Sequence, residues 1–117
     1  MHFPEGHRAD VKTILEIGGE DFNLLMGMEE CGELIQALSK FQRAKAGTCN
    51  LTEEEAREWA AEEVADVINM CYYLALIVGE DRVDRWLAYK KKRTLRRFGL
   101  LEADDDEENR DSGGVPG

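Results

Sequence analysis

Two short windows carry the residue types that can do chemistry: EECGE at 29–33 and EEVAD at 62–66. Each holds three carboxylates inside a segment otherwise patterned to bury apolar side chains. Like charges at helical spacings repel one another, so something must offset the cost of grouping them. Projection at about 100° per residue separates the acids into two kinds. In the first segment Leu24, Met28, Cys31, Leu34, Ile35, Leu38 and Phe41 form the expected buried arc. Glu30 lies at its edge, Glu33 one step beyond, and Glu29 points to water. In the second segment the arc is Ala60, Val64, Val67, Ile68, Cys71, Leu74, Ala75 and Val78. Glu63 falls inside it, Asp66 at its rim and Glu62 outside. Glu29 and Glu62 therefore read as surface charge, and Glu30, Glu33, Glu63 and Asp66 as acids at interface positions.

Burying several carboxylates together is unfavourable unless a cation neutralises them or their pKa values rise. A set of hard oxygen donors suits Mg²⁺, or Mn²⁺, and counts against zinc. The chain's histidines, His2 and His7, are remote in sequence, which excludes the Glu-x-x-His pairs of di-iron bundles. A lone Glu-x-x-Glu is usually solvated helix surface. Two acid pairs at i, i+3 spacing, at matching depth on neighbouring helices, point instead to a metal site. Further on, DRVDRWLAYKKKRTLRRFG places Lys90, Lys91, Lys92, Arg93, Arg96 and Arg97 close together. Arg93 and Arg97 are i, i+4, so one face can present two guanidinium groups to phosphate oxygens. Alone, such a helix reads as solvated or nucleic-acid-binding. In the company of an acidic metal site it reads as a phosphate clamp, and nucleic acid is not the expected partner.

Four helical segments must position these groups. A short first helix covers about 9–17 and is ended by Gly18 and Gly19; a long second runs from Asp21, expected as its N-cap, to Ala46, with Gly47 as the stop. The third opens at TEEE, where Thr52 and Glu55 have capping-box spacing, and ends at Gly79. Asp81 is expected to cap the fourth, which stops at Gly99. No segment alternates like a strand, so the expected fold is an all-α, four-helix bundle over residues 1–101. With a rise of about 1.5 Å per residue, the first acid pair lies roughly 22 Å before its helix end and the second roughly 18 Å after its helix start. In an antiparallel hairpin turned around Thr48–Leu51 the two pairs meet within about one turn.

The composition is acidic, with 25 Asp and Glu against 15 Lys and Arg and a net charge of −10. Seven of those acids fall from Glu102 onward, in LEADDDEENRDSGGVPG, so 102–117 reads as a disordered acidic tail. The opening MHFPEGHRAD lacks the basic-then-apolar pattern of a secretory signal, and the expected compartment is the cytoplasm. The apolar run at 67–78 is too short to span a bilayer, so no membrane association is expected. Three cysteines without paired spacing argue against a disulfide framework, and Cys31 and Cys71 read as small core residues. A chain of 117 residues buries a modest fraction of its surface, which favours association between copies.

EECGELIQAL, with Glu30-x-x-Glu33, and EEVADVINMCYYL, with Glu63-x-x-Asp66, resemble the all-α nucleoside triphosphate pyrophosphohydrolases. That superfamily includes MazG, dimeric dUTPases, dCTP pyrophosphatases and phosphoribosyl-ATP pyrophosphatase; the resemblance covers about residues 20–99. Its late Lys-x-x-x-Asn-x-x-Arg element is matched by Lys90 and Arg97, with Thr94 in place of the Asn. The resemblance implies hydrolysis of a nucleoside triphosphate to monophosphate and pyrophosphate by a homodimer or homotetramer. Glu30, Glu33, Glu63 and Asp66 would hold Mg²⁺, Glu33 or Glu30 would act as general base, and Lys90, Arg93 and Arg97 would bind phosphates. Asn69 and Tyr73 continue the acid stripe and could touch base or sugar, while Trp59, one turn before Glu63, reads as core more than as a base-stacking ring. Two alternatives stay open: phosphoribosyl-ATP as substrate, and a non-catalytic helical oligomer that binds a partner through its basic helix.

Overall fold

Residues 1–102 are described by the computed structural model, and their regular elements are helices: α1 (His7–Gly18), α2 (Glu20–Lys45), α3 (Glu53–Val78) and α4 (Glu80–Arg97). Among the described residues there is no strand. The acidic tail expected at 102–117 lies, apart from Glu102, outside the described residues. The chain divides into two units, His2–Val78 and the segment from Gly79 together with Met1. α1, α2 and α3 make the first, and α4 belongs to the second.

The helix starts correct two expectations. Asp21 and Asp81 do not cap α2 and α4; Gly19 and Gly79 do, without any side-chain hydrogen bond. The reason is the backbone, since Gly19 (φ 85°) and Gly79 (φ 109°) adopt conformations that side chains disfavour. The chain turns there and the helix begins at the next residue. Asp21 and Asp81 then sit in the first turn, where their charge complements the exposed N–H groups. At α3 the expected capping box forms: the Thr52 N–H donates to Glu55 Oε1 (3.1 Å) and the Glu55 N–H donates to Thr52 Oγ1 (3.0 Å). These bonds hold the Glu55 carboxyl below its ordinary range.

In the first unit α2 and α3 run antiparallel, pairing Gly27 with Leu74 far from the turn and Phe41 with Arg57 near it. A Cβ at Gly27 would lie 3.1 Å from Leu74 Cδ1, so glycine permits the close approach of the two helices. α1 packs against both, and Val11, fully buried, meets Met70 and Tyr73 with Leu15, Met26, Tyr72 and Leu76 around them. The side of α2 buried within the chain carries Asn23, Gly27 and Ala37, all small or polar. Asn23 is satisfied by donating from Nδ2 to the Gly19 carbonyl (2.7 Å).

This packing corrects the expected apolar arcs. Met28 (65% exposed), Ile35 (68%), Leu38, Val64, Ile68 (51%) and Val78 face outward. Cys31 is exposed and Cys71 half-buried, so neither is a core residue of this unit. Hydrophobic periodicity finds an apolar face but cannot say whether the same chain covers it. On α2 that face is rotated by roughly a quarter turn from the buried side. Among the described residues no helix is long and apolar enough to cross a membrane.

Replacing Thr52 with Ala is expected to destabilise the protein by about 1 kcal/mol at pH 7. Because Glu55 is held ionised, its share of that contribution exists above the unfolded carboxylate pKa and is lost as pH falls through the lower folded value. Urea denaturation of both proteins at neutral pH and at about pH 3 should therefore show the difference shrinking in acid.

Candidate metal centre

The antiparallel hairpin brings the two acid windows face to face. Glu30 and Glu33 lie one turn apart on α2, and Glu63 and Asp66 one turn apart on α3. One carboxylate oxygen from each of the four lies within 4.8 Å of the others. Burial is graded across the cluster: Glu63 retains 7% exposure, Glu30 and Asp66 are half-buried, and Glu33 is exposed. Glu29 and Glu62 are exposed, in line with their reading as surface charge.

Glu30 Oε2 and Glu63 Oε2 are buried and have no hydrogen-bond partner. None of the four acids forms an ion pair with another described residue. Burial, and then the charges of Glu33, Asp66, Glu63 and Glu29, push the Glu30 carboxyl above its ordinary value. An unpaired buried carboxylate oxygen is strongly unfavourable. A hard divalent cation coordinated by oxygens removes both the desolvation and the repulsion. The donor set fits such an ion on this ground: four oxygens converge, two of them on side chains with buried unpaired atoms, and among the described residues no cation pairs with them.

The remaining candidates lie on α3 and α4. Lys90, Arg93 and Arg97 all lie on α4, in the other unit, where the Lys90 ammonium sits 5.9 Å from the Trp86 ring. Arg93 is half-buried and Arg97 exposed. Asn69 is exposed, whereas Tyr73 is buried among Val11 and Met70 and supplies core packing. Trp59, read from the sequence as core, is half-buried and lines a recess of about 380 Å³ with Ile35, Gln36, Ser39, Lys40 and Arg43. Sequence reasoning passed over Gln36, Lys40 and Arg43. Their signal was positional, because Gln36 and Lys40 follow Glu33 at i+3 and i+7, and Trp59 precedes Glu63 by one turn. The chain matches no family model, no curated protein and no solved structure.

A carboxyl whose folded pKa is raised binds its proton more readily in the native state, so its contribution to stability falls as pH rises through the window just above 4.5. In EDTA, wild type should therefore lose stability relative to Glu30→Gln as pH rises from about 4 to neutrality. Thermal melts across that range check this, and added Mg²⁺ should raise the wild-type Tm most at neutral pH.

Proposed function

We propose that the protein is a divalent-cation-dependent nucleoside triphosphate pyrophosphohydrolase of the MazG-like kind, converting a (d)NTP and water to a (d)NMP and pyrophosphate. The observation that carries this reading is the buried Glu63 side chain, its Oε2 without a hydrogen-bond partner, within a four-acid cluster. The fourfold motif Glu30-x-x-Glu33 and Glu63-x-x-Asp66 supplies the resemblance, and the helical hairpin supplies the convergence it requires.

In this reading Glu30, Glu33, Glu63 and Asp66 hold Mg²⁺, with Mn²⁺ as a substitute. The bound cation would supply charge neutralisation on phosphate oxygens and acidify a water molecule. Glu33, the exposed member, or Glu30, the member with the raised pKa, accepts the proton of the water whose oxygen attacks phosphorus. The phosphoanhydride bond breaks and pyrophosphate leaves. The resemblance also assigns phosphate binding to Lys90, Arg93 and Arg97.

The same reading includes association of copies. Met28, Leu38, Val64 and Ile68 form apolar surface on α2 and α3, and a groove of about 530 Å³ lined by Leu24, Gly27, Met28, Cys31, Gly32, Ile35 and Leu74 lies among them. Exposed apolar surface of this kind is characteristic of interaction sites. A homodimer or homotetramer would cover it.

Incubation with each common NTP and dNTP should release pyrophosphate in Mg²⁺ and not in EDTA. Glu63→Ala should lower turnover by at least about a hundredfold while leaving the circular dichroism spectrum intact. No turnover on any of them would contradict the reading, and phosphoribosyl-ATP would be the next substrate to try. Light scattering should give two or four times the 13.3 kDa chain mass. Met28→Lys with Ile68→Lys should shift it towards the monomer.

A further inference from the structure

The Trp59 recess lies beside the acid cluster and has a different chemistry. Along α2 it begins at Ile35 and Gln36, two and three residues after Glu33, and continues through Ser39, Lys40 and Arg43; α3 contributes Trp59, one turn from Glu63. Its volume of about 380 Å³ suits a small organic ligand. In a chain of net charge −10, it gathers two cations and no carboxylate.

Those cations stand apart from a neighbouring arginine of the same unit. Arg57 pairs with Glu53 (3.6 Å) and Glu54 (3.6 Å). Lys40 and Arg43 form no ion pair among the described residues, and Arg43 Nε makes only a long bond (3.5 Å) to the Ser39 carbonyl of its own helix. The recess thus combines a half-buried indole face, an amide able to donate and accept, and two positive charges with donors and no acceptors. A planar ring carrying an anionic group is the ligand that uses all three.

We infer that this recess binds a nucleoside monophosphate, the class of product that the proposed reaction releases, at a position distinct from that of the reacting phosphate. Trp59 stacks on the base, Gln36 hydrogen-bonds the base edge, and Lys40 and Arg43 hold phosphate oxygens. This rests on the reaction proposed above. It assigns to α2 and α3 a nucleotide-binding role separate from the basic residues of α4.

The chain has two tryptophans, Trp59 and Trp86, so Trp86→Phe leaves Trp59 as the fluorophore. In that background and in EDTA, at least one of AMP, GMP, CMP and UMP should quench the emission saturably. The matching nucleoside, lacking phosphate, should bind at least about tenfold more weakly, as expected for a charge-assisted contact. Lys40→Gln with Arg43→Gln should weaken the monophosphate by a similar factor, with the circular dichroism spectrum unchanged. The inference is overturned by no saturable quenching by any monophosphate, or by quenching that the double substitution leaves unaltered. Displacement by inorganic phosphate as effective as by the nucleotide would also overturn it, since stacking would then contribute nothing. Because no cation or turnover is involved, a chain that hydrolyses nucleotides without this quenching loses only the recess. One that shows it without hydrolysis loses only the reaction.

Discussion

The mutual repulsion of four carboxylates, with one oxygen from each inside a span of 4.8 Å, is the constraint around which the helical hairpin is organised. Bringing acids from two helices that close demands close helix packing, and the buried side of α2 is built from Asn23, Gly27 and Ala37. Bulky side chains along that line would separate the helices and open the cluster. The apolar residues of α2 are accordingly placed on the flank, where Met28, Ile35 and Leu38 stand exposed. One helix therefore carries two distinct faces, an acidic one turned to α3 and an apolar one turned outward.

That division explains which parts of the molecule were legible in the sequence. Helix ends were readable because glycines at 18, 19, 47, 79 and 99 punctuate the periodicity, and the Thr52–Glu55 box announces α3 by its spacing. Convergence of the acids followed from helix rise and a short turn alone. Burial was misread at Met28, Cys31, Ile35, Leu38 and Ile68 because an amphipathic pattern reports that a face is apolar, not what lies against it. The caps were misread for a related reason. Asp21 and Asp81 have the right chemistry for an N-cap, but the conformations of Gly19 and Gly79 place each cap two residues earlier.

Trp59 shows the limit of single-residue expectations. A tryptophan in a helix is usually core, yet here it is half-buried and lines a recess with Lys40 and Arg43. Tyr73, with equal promise on paper, is held in the core by α1 through Val11. The difference arises from α1, whose docking site no spacing argument on α2 or α3 could locate. Glu63 is the counterpart case. Its place within an apolar arc looked costly, and its buried oxygen without a partner is the feature that gives the cluster chemical meaning.

The convergence of the four acids and the unpartnered Glu63 Oε2 call for a hard divalent cation between them. The most direct test is anomalous diffraction from crystals soaked in Mn²⁺. Coordination by these acids requires a peak among Glu30, Glu33, Glu63 and Asp66, with Glu63 Oε2 at coordination distance, about 2 Å. Fully occupied protein density with the four side chains in place and no anomalous peak between them would contradict it.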